Sequence, residues 1–175
     1  MPVELSLTEW AVLGVLATAP AHGFAVARQL EAPSPVGRVW TVPRPLVYRA
    51  LGRLEDQALI RPHATEPGAG GPQRTVYRIG RRGRTALDRW LHTPVDHLRD
   101  VRSELLLKLV LCERHGVDPR PLVVNQQDIF RSHLAALDIP DDGPVDPVDR
   151  WRHESAQAVA RFLDGLLSDP VGRYR

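Results

Sequence analysis

The sequence predicts a mainly α protein with a small β-hairpin, and three observations carry that prediction. Three short helix-like segments follow one another up to about residue 56. Two strand-like runs then flank a glycine-rich connection, and everything after that reads as helix and loop. In "SLTEWAVLGVLATAP", Ser6 and Glu9 have the S-x-x-E spacing of a capping box, Leu7, Trp10, Leu13 and Leu16 form an apolar stripe flanked by Ala11 and Ala17, and Pro20 marks the stop. "AHGFAVARQLE" is a shorter second helix with Phe24, Ala27 and Leu30 inward. "APSPVGRVWTVP" is a loop by its proline, serine and glycine content, with Trp40 as an anchor.

The third helix lies in "PRPLVYRALGRLEDQALIRPH", whose two prolines fit a first turn, where a missing N–H costs nothing. Val47, Ala50, Leu51 and Leu54 share one face; Arg44, Tyr48, Arg49 and Arg53 share the other. "LIRPHAT" and "RTVYRIG" read as strands, with Val76 and Ile79 inward and "EPGAGGPQ" as the hairpin connection. "RRGRTALDRWL" starts a fourth helix with Ala86, Leu87, Trp90 and Leu91 apolar. "VDHLRDVRSELLLKLVLCERHG" carries Leu98, Val101, Leu105, Leu109 and Cys112 at helical spacing, and Gly116 fits its C-cap. "DPRPLVVNQQDIFRSHLAALD" and "VDRWRHESAQAVARFLDGLL" are further amphipathic helices across the break "IPDDGPVDP", in which Asp141 and Asp142 are turn residues. The expected division is an N-terminal domain over 1–93 and a helical domain over 94–175.

At 175 residues, with 43% hydrophobic residues and mean hydropathy −0.24, the chain suits one ordinary soluble domain or two small ones. Its longest apolar runs are too short to cross a bilayer, and no basic segment precedes an apolar one at the N-terminus. The single cysteine, Cys112, allows no intramolecular disulfide and agrees with a reducing cytosol, so a cytoplasmic protein without a membrane partner is expected. Charge is divided unevenly. Residues 1–92 carry 12 arginines against 7 carboxylates, net +5, while the remainder carries net −3. A basic first half suits a polyanion; chance asymmetry of solvated charge is the plainer alternative.

Three helices, a hairpin and an arginine-lined third helix match the arrangement of a winged helix–turn–helix domain. The DNA major groove admits one helix, which can bury one face and offer the other. Arginine suits that face because its planar fork pairs with guanine or phosphate. Gly70, Gly71, Pro72, Gln73 and Arg74 suit a wing tip reaching the minor groove, where small residues allow approach and a cation meets negative potential. Other chemistry finds little footing. His22 before Gly23 reads as a turn residue, and the seven histidines show no metal-ligand spacing. Cys112 sits on an apolar stripe as a buried thiol, and no phosphate loop or nucleophile elbow is present. No cofactor, metal or enzymatic activity is expected. Trp10, Trp40, Trp90 and Trp151 are core residues by default; the sharper reading lines an apolar cavity with one or two of them.

Four segments carry a family resemblance: "LTEWAVLGVLATAPAHGFAVARQLE", "GRVWTV", "YRALGRLEDQALI" and "QRTVYRIGRRGRTALDRWL". Together with the order His22-Gly23, Tyr48-x-x-Leu51-x-x-Leu54-Glu55 and Tyr77-Arg78, they resemble the PadR family of winged-helix transcription factors. "LLLKLVL" and "RFLDGL" are similar to the helical C-terminal region of one branch of that family. The resemblance implies a homodimeric repressor or activator bound to an operator, with the C-terminal helices forming the dimer interface. It also implies DNA contacts by Tyr48, by nearby basic residues of the third helix and by the wing. Some relatives respond to phenolic or hydrophobic small molecules. Arg44, Tyr48, Arg49, Arg53, Gln73 and Arg74 are therefore the expected DNA-binding residues. Three positions depart from the family's habit: Leu46 replaces a threonine or serine, Phe24 a tyrosine, and Ala58 a glycine at the end of the third helix. With alanine there, a left-handed cap costs about 1 kcal/mol, so a different helix ending is expected. A protein-interaction module on the same fold and a small-molecule-binding protein are the alternatives from other classes.

Overall fold

Helix α1 (Leu7–Thr18) is buried around most of its circumference rather than along one stripe: every residue from Glu9 to Leu16 is buried. That departs from the one-sided helix expected, because α1 sits centrally and is packed against by the second and third helices, the sheet and a later helix. The structure, a computed structural model, describes residues 4–68, 71–135 and 146–168. The capping box forms as read. Glu9 donates its backbone N–H to Ser6 Oγ at 3.3 Å, and Glu9 Oε2 accepts from both Ser6 N–H and Ser6 Oγ at 2.7 Å.

Strand β1 (Ala21–His22) takes the residues expected to start the second helix, pairing antiparallel with β3 at Ala21↔Tyr77 and His22↔Val76. Helix α2 (Gly23–Gln29) begins beyond it, where His22 Nδ1 accepts from Ala25 N–H at 3.1 Å and caps the helix. Val26, Ala27 and Leu30 are buried, whereas Phe24, expected inward, is only half-buried. The loop after α2 is fastened by Val36 and Val42 in the core and by Trp40 Nε1–H donating to Thr8 Oγ1 at 3.2 Å.

Helix α3 (Arg44–Asp56) has Pro43 at its N-cap and Pro45 in its first turn, and it buries Val47, Ala50, Leu51 and Leu54 as its periodicity requires. Its end departs from expectation. Ala58 adopts φ 54°, with Ala58 N–H donating to Glu55 O at 2.8 Å and Leu59 N–H to Leu54 O at 2.9 Å. That is the Schellman pattern a glycine usually serves, adopted here by an alanine because Leu59 is drawn fully into the core.

Strands β2 (Ile60–Gly68) and β3 (Gly71–Ile79) form the wing, in a sheet of order β1-β3-β2. Both extend into "EPGAGGPQ", so the wing is longer than read: Gly71, Pro72 and Gln73 belong to β3, and Gly70 lies outside the described residues. Helix α4 (Arg81–His92) buries Gly83, Leu87, Trp90 and Leu91. Trp90 stacks on Trp10 with ring centroids 4.8 Å apart and planes at 9°.

Beyond α4 the expected single helix is broken into a 3₁₀ turn (Leu98–Asp100), a π turn (Val101–Leu105) and α5 (Leu106–His115). Val101, Leu105 and Cys112 are buried as their helical spacing requires, with Leu107, Lys108 and Leu111 also inside, while Leu98 and Leu109, expected on the same stripe, are half-buried. Lys108 keeps its stem in the core with Nζ 4.9 Å from the Trp90 ring centroid. Gly116, at φ 65°, ends α5.

Residues through Leu91 cluster with Leu106–Val117, and His92–Leu105 cluster with the residues from Asp118 on. In the first unit, α5 lies close on α1, with the Leu111 side chain against Gly14, and Arg114 donates to Thr18 Oγ1 at 2.8 Å and to Gln29 Oε1. Beside them, His115 is held below its ordinary value, first by burial and then by the Arg114 and Arg84 cations, against a hydrogen bond to the Gly14 backbone. The unfolded imidazole therefore binds protons at higher pH than the folded one. Stability is complete above about 6.5 and falls as pH drops through that value toward the folded pKa. The thermal midpoint should decline on acidification below that value, and less steeply in His115→Gln, as calorimetry at a series of pH values would show.

In the second unit, α6 (Arg120–Ala135) buries Leu122, Val123, Gln126 and Phe130, and α7 (Pro147–Ser168) buries Ala156 and Leu163. The Gln126 amide pairs with both backbone groups of Val95 at 2.8 Å, and Arg120 donates to Leu167 O at 2.8 Å. Trp151 on α7 is 73% exposed, and Val148 one turn before it is exposed as well. Asp141 and Asp142 lie outside the described residues.

Candidate nucleic-acid interface

The outward face of α3 presents Arg44, Tyr48, Arg49 and Arg53, all exposed. Tyr48 is aimed by what lies beneath it. A Cβ on Gly23 would meet Tyr48 Cε1 at 2.5 Å, so the ring rests directly on the glycine backbone while half its surface stays open. The His22-Gly23 pair thus has a physical reason: the histidine caps α2, and the glycine makes a seat for Tyr48. Gly23→Ala should push the ring off its seat and weaken duplex binding, with a stability loss of about 1–3 kcal/mol from overpacking. Anisotropy titration alongside thermal melting would check both parts.

The four cations expected at this face have different surroundings. Arg49 is exposed and makes no hydrogen bond or ion pair among the described residues. Arg53 Nε lies 3.1 Å from Glu9 Oε1, the carboxylate that also closes the α1 capping box. The N–H points off that line, so Glu9 Oε1 is buried with a cation beside it but no hydrogen bond. Arg44 lies 3.8 Å from Glu31, and its guanidinium carbon is 4.7 Å from the Phe24 ring centroid. The Arg74 guanidinium carbon, arriving from β3, is 5.6 Å from the same centroid. Gln73 is exposed next to it on the wing. Leu46, which stands where the family's habit is threonine or serine, is 38% exposed.

Two features fasten the wing to the helix. Tyr77 on β3 lies beside Glu55 at the end of α3, where burial, followed by the Glu55 charge, raises the Tyr77 pKa. The other is Phe24, which brings the first turn of α3 and the wing together and which sequence reasoning assigned only to packing. Sequence reasoning also missed Arg61, set opposite Arg78 across the wing. Like charges in directly opposed positions repel, and an adjacent polyanion would relieve the repulsion. Strand register was the signal needed, and the bulges between Pro62 and Ala64 and between Glu66 and Gly68 hide it from simple counting. Among the described residues no cluster of histidine, cysteine, aspartate or glutamate could hold a metal ion, and no helix is long and apolar enough to cross a membrane. Of the tryptophans, Trp10 and Trp90 are core, Trp40 anchors its loop and Trp151 faces outward.

Three helices, a three-stranded sheet with a two-stranded wing, and cations on the third helix and the wing define a winged helix–turn–helix protein. Residues 12–89 match the model of the transcriptional regulator PadR-like family. A Mycobacterium tuberculosis protein named as a probable transcriptional regulator is 30% identical over 96 residues, covering 55% of this chain and 49% of the relative. The chain thus spans about half the length of the curated relative it matches. Among solved structures, Bacillus subtilis PadR in complex with operator DNA is similar at 19% identity and a TM-score of 0.45, covering 91% of this chain and 97% of that one. A PadR family regulator from Clostridium difficile is similar at 20% identity and a TM-score of 0.40, covering 47% of this chain and 81% of that one.

Proposed function

We propose that this protein is a sequence-specific DNA-binding transcriptional regulator, acting as a repressor that binds a near-palindromic operator as a homodimer. The observation that carries the reading is the shared basic face: Arg44, Tyr48, Arg49 and Arg53 point outward from α3, and Arg74 of the wing joins Arg44 at one aromatic ring. In this reading α3 enters the major groove, Arg49 and Arg53 reach base edges or phosphates, and Tyr48, Arg44, Gln73 and Arg74 hold the flanking backbone. The match to a family of transcriptional regulators supports it. Two copies would place their third helices in successive major grooves, with half-site centres about 10 bp apart or a multiple of that.

The helical region over 94–175 is proposed as the dimerisation domain. Exposed Val148 and Trp151 on α7 are the apolar surface that a second copy would cover. A small aromatic effector is a second reading for Trp151, the one tryptophan of the four left open to solvent, and its fluorescence quenching by an aromatic panel tests that point. The central experiment is selection of bound fragments from genomic DNA with the purified protein. A recovered inverted repeat with the stated spacing, bound in a salt-dependent way, supports the whole reading. Random fragments bound without salt dependence overturn it.

A further inference from the structure

Phe24 is the one aromatic residue of α2, and the core does not claim it. It is half-buried, while Val26, Ala27 and Leu30 close the interior beneath it. Two guanidiniums from separate elements lie over its ring, Arg44 at 4.7 Å and Arg74 at 5.6 Å from the centroid. Both distances are within cation–π range. No covalent constraint brings these arginines together, since one opens α3 and the other lies on the wing. The remaining contact of Arg44, with Glu31 at 3.8 Å between half-exposed side chains, is too weak and solvated to fix it. An arginine free in solvent carries about 2 kcal/mol of rotamer entropy, which must be lost when it binds. Stacking on the ring removes part of that entropy in advance. It also uses the guanidinium plane and leaves the N–H edges available for a phosphate.

We infer that Phe24 is a positioning residue that holds Arg44 and Arg74 as one preformed cationic pair, so that helix and wing grip the phosphodiester backbone of duplex DNA jointly. The inference rests on the DNA-binding reading. Phe24 itself touches no DNA in this account, and its contribution passes through the two arginines. A tyrosine ring would serve equally well, because its hydroxyl adds nothing to the stacking.

The test is anisotropy titration of the selected duplex, at several salt concentrations, with the full chain and with Phe24→Leu, Phe24→Tyr, Arg74→Gln and the double variant Phe24→Leu/Arg74→Gln. Phe24→Leu should lose about fivefold to tenfold in affinity, because part of the rotamer entropy of about 2 kcal/mol per arginine is then lost on binding instead of in advance. Its salt slope should stay close to that of the unaltered chain, because no charge is removed. Phe24→Tyr should restore affinity, and the loss caused by Phe24→Leu should shrink to about threefold or less once Arg74 is glutamine. A Phe24→Leu protein that binds within twofold of the unaltered chain overturns the proposal. So does an undiminished loss in the Arg74→Gln background, which would mark a merely structural role. An unaltered chain with no salt-dependent duplex affinity overturns the DNA-binding reading first, and this inference with it.

Discussion

Removing Arg49 and Arg53 together is expected to weaken operator binding by several kcal/mol, about 1–3 for each arginine that reads a base. The two substitutions should not behave alike. Arg49 has no partner among the described residues, so Arg49→Ala should reduce affinity and leave the melting temperature almost unchanged. Arg53 is the cation beside buried Glu9 Oε1, so Arg53→Ala should cost stability too, about 1 kcal/mol given how open the arginine is. That pair also sets Arg53's reach: its guanidinium is tethered to α1 and must leave Glu9, or share it, to meet DNA. If either arginine touches phosphate alone, the loss should be uniform across sequences and the salt slope should drop by about one. A double variant that shifts the operator in a gel as well as the unaltered chain would remove α3 from the role of recognition helix.

The two faces of α3 were legible because a 3.6-residue period separates them without reference to the rest of the chain. The capping box, the first-turn prolines and Gly116 were legible for the same reason: each is a local pattern with a local mechanism. What escaped depended on partners distant in sequence. Strand β1 is two residues long and exists only because β3 pairs with it, so nothing in "AH" announces it. The burial of α1 on nearly all sides is set by the elements around it, and a stripe read from Leu7, Trp10, Leu13 and Leu16 understates it. Leu109 looked like the core residue where Lys108 is buried instead: both fit the helical period, and Trp90, distant in sequence, offers its ring to the ammonium.

The site divides in the same way. Arg44, Tyr48, Arg49 and Arg53 could be picked from one helix, yet their unequal surroundings could not. Glu9 read as a cap residue, Gly23 only as the neighbour of a turn histidine and Phe24 as packing; in the fold they restrain Arg53, seat Tyr48 and lie against Arg44 and Arg74. The basic face is therefore organised by residues that carry no positive charge. Charge counting finds the cations and misses what aims them.

Gly83→Ala is expected to destabilise the winged unit by about 3 kcal/mol, the upper range for overpacking, although alanine in a helix interior ordinarily stabilises by about 0.5–1 kcal/mol. A Cβ there would come within 2.2 Å of the Leu59 carbonyl oxygen and 3.0 Å of its carbon. That oxygen cannot easily yield. It accepts from Gly80 N–H at 2.8 Å, and its own residue donates to Leu54 O at 2.9 Å to close α3. Leu59 is fully buried, so the end of α3, the start of β2 and the first turn of α4 meet at one peptide. Shifting it would loosen the wing relative to the helix as well as lower the melting temperature, so duplex affinity should fall along with stability. Two neighbouring substitutions should move the other way. Ala58→Gly relieves the left-handed φ of 54° and should stabilise by about 1 kcal/mol. Gly52→Ala, on the exposed face of α3 where a Cβ meets nothing within 4 Å, should stabilise by about 0.5–1 kcal/mol. Denaturant unfolding of the three variants gives the comparison directly. If Gly83→Ala proves as stable as Gly52→Ala, the close seating of α4 on the Leu59 carbonyl is wrong, and the wing must be held by the approach of Tyr77 to Glu55 and the β1–β3 pairing instead.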